Sequence, residues 1–308
     1  MKNKLLIICD VEGWAYDRFA KGFQAHSNQW DISIAYGNKT KEGYLECFEQ
    51  IKGHDLCLFM VDSNPQYVAN YGGTSGKVLQ AIRSNLYKER KEVIRKYKYY
   101  SSNFLKNCKG IVTANSSIYN DWKDKHEHVF LMEGGVDTSI FKYKEKMILG
   151  KTRVGWAGSI KNFGYSFRGL EIIEEACDQV GVVWNPAYRE HKWRDVEEMV
   201  NYYHNEIDIY VDMSFSAGRQ NGLLEAASCG CSVIANDVGV TNSLIVSGKN
   251  GVISERNVNS LKRALFEAVE NYLKYTSDMQ KTIQEIWSWE KQALKFEKFL
   301  NTLLEKEK

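Results

Sequence analysis

The sequence predicts an α/β protein made of two doubly wound parallel sheets, one in each half of the chain. Its 308 residues suit two domains of average size. Short apolar runs, typical of strands buried on both faces, alternate with segments of helical periodicity. This alternation starts again near residue 152, after a polar stretch. We therefore predict domains at 1–145 and 146–286, followed by a terminal helix at 287–308.

The first half predicts five strands separated by helices. The run 4–9 is apolar throughout, and 30–36 alternates as a strand does. Val78, Ile82 and Leu86 recur at helical spacing, which predicts a long helix over 77–109. The predicted strands are 4–9, 30–36, 56–61, 110–114 and 128–132, and the predicted helices are 15–27, 40–51, 77–109 and 115–124.

The second half repeats the pattern on a smaller scale. The strands are predicted at 153–157, 182–184, 207–211 and 232–235, and the helices at 168–179, 195–204, 220–229 and, almost without a break, 257–306. A single strand is expected between the helices 168–179 and 195–204.

Composition excludes several classes of protein. Hydrophobic residues make up 44% of the chain and charged residues 26%, so it is not a disordered chain. A net charge of only +2 means that affinity for polyanions must come from a local patch. No apolar run is long enough to span a membrane, and no signal peptide is evident. The 7 cysteines lack zinc-site spacing, so we expect reduced thiols in a cytoplasmic protein.

Parallel sheets bind ligands at the carboxyl ends of their strands, so two such sheets predict a site in a cleft between them. The glycine-containing bend Gly218–Gly222 leads into the helix 220–229. Backbone N–H groups in such a bend can hold a phosphate. Glu225, expected in the first turn of this helix, either accepts hydrogen bonds from hydroxyls of the ligand or is a favourable N-terminal charge.

The segment 206–254 resembles the donor-binding region of family 4 retaining glycosyltransferases of the GT-B fold. Strand, Leu-Glu-Ala helix, Cys-Gly and Gly-Lys-Asn-Gly turn occur in the family's order and spacing. LMEGGVDTSIFK at 131–142, VGWAGSI at 154–160 and Ser288-Trp289-Glu290 are similar to three further family motifs. The resemblance implies two Rossmann-like domains facing a cleft, a last helix that returns to the N-terminal domain, and a nucleotide-diphosphate sugar as donor. It also implies that neither a metal nor a cofactor is required.

The sequence departs from the family pattern at several positions. Ala217 stands eight positions before Glu225, where many members have a second glutamate. Ser159 replaces a phosphate-binding arginine, and Arg168 replaces a lysine. Lys161 and Arg219 are either substitutes for the lost cation or exposed charges. The predicted donor-binding residues are Gly13, Gly158, Ser159, Lys161, Arg168, Tyr188, Gly218, Arg219, Gln220, Asn221, Gly222, Leu223 and Glu225.

Tyr188 lies where a nucleotide base could stack, or it packs in the core. Gly13 either faces donor phosphates or makes a tight turn. Asp10 and Asp62 end predicted strands, and we predict that they orient or deprotonate an acceptor hydroxyl. Capping of a helix is the alternative role for either aspartate.

The segment 77–109 is strongly basic and contains interleaved tyrosines. Lys88, Arg90 and Lys91 are the predicted acceptor contacts in this segment. The acceptor is then polyanionic, either a membrane surface with acidic lipids or DNA phosphates. A solvated helix face without a partner is the alternative.

These observations together predict a glycosyltransferase that uses a nucleotide-diphosphate sugar, with a UDP-sugar as the first candidate. We expect retention at the anomeric carbon and, as acceptor, a hydroxyl of a cell-envelope glycan or lipid, with the enzyme in the cytoplasm or peripheral to the membrane. Three alternatives remain: an enzyme that glycosylates hydroxymethylated DNA bases, a non-catalytic nucleotide-sugar-binding protein, and an epimerase of the same fold.

Overall fold

The computed structural model describes residues 2–61, 76–83, 108–161 and 163–305. The chain divides into two compact units, the first from Met1–Gly135 together with Trp289–Lys308, and the second from Val136–Ser288. The first change of unit therefore comes earlier than the predicted residue 145. Residues after 135 join the second unit because Phe141 is buried in its core and accepts a hydrogen bond from Ser228 Oγ.

The first unit contains a parallel sheet with the order β2-β1-β3-β4-β5-β6 in its described part. Its strands are β1 (Asn3–Cys9), β2 (Trp30–Tyr36), β3 (Leu56–Phe59), β4 (Val78–Ile82), β5 (Gly110–Thr113) and β6 (Val129–Leu131). The strand order reverses between β1 and β3, which is where open α/β sheets bind ligands.

Helices cover both faces of this sheet. Side chains alternate along β1, so Leu5 and Ile7 lie in one core and Leu6 and Ile8 in the other. The described helices of this unit are α1 (Ala15–His26), α2 (Lys41–Glu49), α3 (Ser116–Trp122) and α10 (Trp289–Glu305). The doubly wound prediction is confirmed for this half.

The predicted helix over 77–109 is wrong at its start, because Val78–Ile82 forms β4. All five residues of this strand are buried. A strand covered on both faces carries no alternation, so the spacing of Val78 and Ile82 fits a helix and a buried strand equally well. Residues 84–107 lie outside the described part of the chain.

The last helix, α10, packs on the first unit, as predicted. Phe296 contacts Phe23 with ring centroids 5.0 Å apart. Glu297, which is only 1% exposed, accepts three hydrogen bonds from the loop 27–29. The donors are Ser27 Oγ at 2.6 Å, Asn28 N at 2.8 Å and Gln29 N at 2.7 Å. A buried carboxylate thus anchors the carboxyl-terminal helix to the amino-terminal sheet.

The second unit has a five-stranded parallel sheet with the order β13-β12-β11-β7-β9 and a separate pair formed by β8 and β10. The strands are β7 (Arg153–Gly155), β8 (Ala157–Gly158), β9 (Val183–Trp184), β10 (Ala187–Tyr188), β11 (Ile209–Asp212), β12 (Ser232–Ala235) and β13 (Val252–Ile253). The helices are α4 (Leu170–Val180), α5 (Val196–Asn201), α6 (Asn221–Ser228), α7 (Thr241–Leu244), α8 (Val258–Glu270) and α9 (Tyr272–Thr282). The order of this sheet reverses between β7 and β11.

Two predictions for this unit need correction. Two short strands, β9 and β10, occupy the place of the single predicted strand, and two residues are too few to give an alternating pattern. The predicted helix over 257–306 is interrupted after α8 and again by π-helical turns at Ile283–Trp287. Apolar residues continue at helical spacing through these breaks, which hides them from a periodicity argument.

All seven cysteines are unpaired thiols buried in the two units. Burial raises the pKa of Cys47 to about 11 and that of Cys177 to about 12.

Candidate functional site

The loops that follow β8 and β11 meet beside the reversal point of the second sheet. The N–H of Phe215 donates to the carbonyl of Phe167 at 2.7 Å. Arg256 ties the same two loops together, because Nε donates to Met213 O at 2.8 Å and the guanidinium also donates to Ser166 O. These loops are therefore held as one surface at the carboxyl edge of the sheet.

Gly169 allows this close approach. Its φ of +67° lies in the left-handed region, and a Cβ added there would lie 2.3 Å from the Met213 carbonyl oxygen. Any side chain would push the two loops apart. Glycine at this position is thus required by the backbone geometry of the site.

Arg168, a predicted donor-binding residue, lies beside two aromatic rings. Its guanidinium carbon is 4.9 Å from the ring centre of Phe163 and 5.9 Å from that of Phe167. Its buried Nε has no hydrogen-bond partner within the described part of the chain. Aromatic contacts orient the planar guanidinium and leave its donors, the buried Nε among them, available, which suits binding of a phosphate oxygen.

The loop after β11 is held in place by hydrogen bonds to polar side chains at the ends of β11 and β12. Asp212 Oδ1 accepts hydrogen bonds from Ser214 N at 3.0 Å and Ser214 Oγ at 2.6 Å. Asn236, at the end of β12, donates to Ser214 O at 3.0 Å. The Oδ1 of Asn236 is buried and has no hydrogen-bond partner among the described residues. The sequence predicts that the loop beginning at Asn236 lies at this edge, because it follows a buried strand, but it assigns this side chain no role.

Gln220, a predicted donor-binding residue, joins the loop before α6 to the residues at the start of α7 by hydrogen bonds. It is 5% exposed, and its Oε1 accepts from Val240 N at 3.1 Å and from Thr241 Oγ1 at 3.3 Å. Its Nε2 is buried without a hydrogen-bond partner in the described structure. Of the side-chain atoms, only this amide nitrogen therefore remains for a ligand. Gly218 and Arg219 lie in the half-buried loop just before it.

Three predicted residues form the start of α6: Asn221, Gly222 and Leu223. The side chain of Leu223 is completely buried, so only its backbone can meet a ligand. The buried Oδ1 of Asn221 has no hydrogen-bond partner in the described residues. A Cβ on Gly222 would lie 2.4 Å from the hydroxyl oxygen of Tyr210. The glycine therefore serves tight packing, in addition to any role in binding phosphate.

Glu225 lies in the second turn of α6, which begins at Asn221, and not in the first turn as predicted. Its half-buried carboxylate accepts a hydrogen bond from Tyr203 Oη at 3.1 Å. Burial, together with the charge of Glu225, raises the pKa of Tyr203 well above its usual value. Tyr203 therefore stays protonated and holds the carboxylate in one orientation. The sequence analysis missed Tyr203 because it stands 22 positions before Glu225 and nothing in the sequence links the two residues.

The loop Ser159–Lys161 encloses a carboxylate that the sequence analysis did not consider. Glu190 accepts a hydrogen bond from Ser159 Oγ, one from Ile160 N at 3.2 Å and one from Lys161 N at 3.1 Å. Burial alone would raise the pKa of Glu190, but these hydrogen bonds outweigh it and lower the pKa to about 2. The side chain of Lys161 is exposed, and Gly158 packs on the ring of Trp156.

Tyr188 takes part in a cluster of aromatic side chains. Its ring centre is 6.1 Å from that of Trp156 and 4.9 Å from that of His191. Its hydroxyl lies 3.4 Å from the Tyr165 hydroxyl, which in turn donates to Glu174 at 2.7 Å. The packing role is observed, and stacking with a base stays a prediction.

In the first unit, the loop after β1 is organised by Asp17, a residue that the sequence analysis missed. Asp17 is 1% exposed and accepts from Gly13 N at 2.8 Å, Tyr36 Oη at 2.6 Å and Lys21 Nζ at 3.0 Å. Burial alone would raise the pKa of Asp17, but these partners lower it below its usual value. The N–H of Gly13 is thus already used inside the protein.

Asp10 stands at the reversal point of the first sheet, directly after β1. Its buried Oδ1 has no hydrogen-bond partner in the described part of the protein. The other predicted residues on this side, Asp62, Lys88, Arg90 and Lys91, lie outside the described residues.

Among the described residues, no cluster of three or more histidine, cysteine, aspartate or glutamate side chains has the geometry of a metal site. None of the described helices combines the length and apolar character needed to cross a bilayer.

Comparison with known proteins agrees with this geometry. The family described as Glycosyl transferases group 1 matches residues 179–271, which include α6 and the loops around it. An uncharacterized glycosyltransferase of Methanocaldococcus jannaschii is 26% identical over 102 residues, which span 32% of this chain and 26% of that protein. The match thus covers about a quarter of that relative's length.

Solved structures show similarity over nearly the whole chain. Sucrose-phosphate synthase from Thermosynechococcus elongatus superposes with a TM-score of 0.72 at 14% identity, covering 98% of this chain and 99% of that one. Anabaena HepE in complex with UDP and glucose gives a TM-score of 0.76 at 10% identity, covering 97% and 100%. The protein therefore has the α/β fold of GT-B glycosyltransferases, with two Rossmann-like domains, and residues 179–271 of its second unit match the family described as Glycosyl transferases group 1.

Proposed function

We propose that this protein is a glycosyltransferase that transfers a sugar from a nucleotide-diphosphate sugar to an acceptor hydroxyl, with retention at the anomeric carbon. The observation that carries the proposal is the arrangement in the second unit. An oriented guanidinium, Arg168, and a carboxylate fixed by a buried tyrosine, Glu225, both belong to elements at the carboxyl edge of one sheet. HepE was solved with UDP and glucose, which makes a UDP-sugar the first donor to test.

Each of these groups has a chemical task in the proposed reaction. Glu225 accepts hydrogen bonds from the ribose hydroxyls of the donor, while Tyr203 keeps its carboxylate in place. Arg168 and the backbone N–H groups at the start of α6 stabilise the negative charge that develops on the departing diphosphate. Asp10 is the acceptor-side candidate, since a buried carboxylate oxygen without a partner can take a hydroxyl proton. No metal is required in this scheme.

The first experiment measures UDP affinity by calorimetry. Glu225→Ala should weaken binding by about 10- to 100-fold, the effect of losing hydrogen bonds to a charged group. Tyr203→Phe should give a smaller loss, because it removes only the group that orients the carboxylate. Glu270→Ala, which removes an exposed charge on α8, is the matched control and should bind UDP as the unchanged protein does.

The second experiment measures turnover with a panel of nucleotide sugars, each with and without candidate acceptors. Transfer products analysed by NMR report the anomeric configuration, and retention is the expected result. The proposal fails if no common nucleotide sugar is consumed and Glu225→Ala leaves the affinity for every nucleotide unchanged.

The acceptor that we propose is a hydroxyl of a cell-envelope glycan or lipid, reached at an anionic membrane surface through the basic residues Lys88, Arg90 and Lys91. DNA with hydroxymethylated bases is the alternative polyanion. Vesicles with and without acidic lipids, and duplex DNA, should be compared at increasing salt concentration. Charge reversal of the three residues should abolish the salt-dependent component.

A second candidate function is binding of a nucleotide sugar without turnover. It is favoured by Ala217, which stands where many similar enzymes have a glutamate, and by the occupied Ser159–Lys161 loop. Calorimetric binding of a nucleotide sugar with no product in any acceptor assay would identify this function.

A further inference from the structure

The contact between Glu190 and the loop Ser159–Lys161 has the form of an anion-binding site. Two successive backbone N–H groups and one hydroxyl converge on the two oxygens of a single carboxylate. Backbone N–H groups arranged in this way form a concave nest that accepts phosphate as readily as carboxylate. The nest directly follows β8 (Ala157–Gly158), close in sequence to the reversal point of the sheet.

Glu190 is held in the nest by these three donors and by its own backbone N–H. Its side chain is exposed, and it forms no ion pair with any described residue. The neighbouring Arg189 instead places its guanidinium 4.3 Å from the ring centre of Trp193. The carboxylate can therefore leave the nest by rotation of its own side chain, without disturbing the core.

The backbone next to Glu190 nevertheless stays close to the nest. The N–H of Arg189 donates to the carbonyl of Gly158 at 2.9 Å, and β10 pairs with β8. A tethered carboxylate has a high effective concentration at such a site, so it competes with a diffusing anion. The phosphate must supply more binding energy than the carboxylate does.

We propose that Glu190 is an internal competitor for the phosphate groups of the nucleotide ligand. In the free protein its carboxylate fills the nest, and the diphosphate displaces it on binding. This inference rests on the proposed function. Glu190 lowers the affinity of the protein for the donor and for the nucleoside diphosphate product, and so favours product release.

The test compares the affinities for UDP and uridine in the unchanged protein and in Glu190→Ala and Glu190→Gln. Glu190→Ala should bind UDP about tenfold more tightly, because three charge-assisted hydrogen bonds no longer oppose the phosphate. Glu190→Gln should fall between the two, since a neutral amide oxygen is a weaker competitor. Affinity for uridine, which carries no phosphate, should not change.

Glu197→Ala is the matched control, since it removes one exposed carboxylate from the adjacent α5 without touching the nest. An equal gain in UDP affinity in this variant would refute the inference in favour of a general charge effect. Unchanged or weaker UDP binding by Glu190→Ala would refute the inference alone and leave the proposed function standing. If neither the unchanged protein nor any variant binds UDP or another nucleoside diphosphate, the proposed function fails and the inference fails with it.

Discussion

Substitution of Gly222 by alanine tests how tightly the start of α6 is packed. The new Cβ would lie 2.4 Å from the Tyr210 hydroxyl oxygen and 3.1 Å from the adjacent ring carbon. Tyr210 is 1% exposed and contacts the ring of Tyr203, so it has little room to move. Overpacking of this kind costs about 1–3 kcal/mol. Alanine in a helix recovers about 1 kcal/mol relative to glycine. We therefore expect a net loss of up to about 2 kcal/mol in the free energy of unfolding, near the upper end because Tyr210 has little room to move.

A second substitution tests whether the Tyr210 hydroxyl oxygen causes this loss of stability. Tyr210→Phe removes the hydroxyl, whose contacts with Ala157 N and O are long at 3.4 Å each, so this change alone should cost less than about 1 kcal/mol. The double variant lacks the hydroxyl oxygen that lies nearest to the new Cβ. Its loss in the free energy of unfolding should therefore be about 1 kcal/mol smaller than the sum of the two single losses.

Urea unfolding of all four proteins gives this coupling energy, and calorimetry on the same samples gives the UDP affinity. Gly53→Ala is the control, because a Cβ there meets nothing within 4 Å, and its stability should change by less than about 0.5 kcal/mol. The packing argument is refuted if Gly222→Ala is as stable as the control, or if its cost is unchanged when the Tyr210 hydroxyl is absent.

Three further predictions concern the loops and the last helix. Glu297→Ala should destabilise the first unit by about 2–4 kcal/mol in urea unfolding, because it leaves the three donors of the loop 27–29 without the oxygen that accepts from them; a loss below about 1 kcal/mol would contradict the anchoring role. Gly169→Ala combines a positive φ with a clash against Met213 O, so it should cost about 2–4 kcal/mol by the same measurement and lower UDP affinity, whereas an unchanged affinity would separate this turn from the site. The lowered pKa of Asp17 means that its charged form stabilises the fold above the usual carboxyl pKa and that this contribution is lost as pH falls below it. Acid titration of stability should therefore show a shallower decline in Asp17→Asn, and identical slopes would refute this origin.

The sequence predicts most of the strands of both sheets because their apolar runs are short, continuous and separated by polar loops. Lys4–Cys9 is predicted within one residue of the observed β1. The strand Val78–Ile82 is missed because burial on both faces removes the alternation that distinguishes a strand from a helix. The pair β8 and β10 is missed because two-residue strands are defined by their partner and not by their own sequence.

The candidate site is predicted where one loop or one helix supplies the residues. Arg168 lies in the loop before α4, and Glu225 lies in the second turn of α6, one turn later than predicted. Their roles in binding stay predictions. The partners that orient or occupy the site could not be predicted, since they come from distant parts of the chain. Tyr203 reaches Glu225 across the core, and Glu190 reaches Ser159 from 31 positions away. These pairs are brought together only by the fold of the backbone, so a pattern in a single sequence cannot predict them.

The buried thiols provide a way to follow each unit separately. The first unit contains Cys9, Cys47, Cys57 and Cys108, and the second contains Cys177, Cys229 and Cys231. Only a thiolate reacts with alkylating reagents, and burial both shields these sulfur atoms and raises their pKa values. Alkylation therefore requires local or global opening of the surrounding core. Pulse labelling with iodoacetamide, read by peptide mass spectrometry, would report the opening rates of the two halves in one experiment on the unmodified chain.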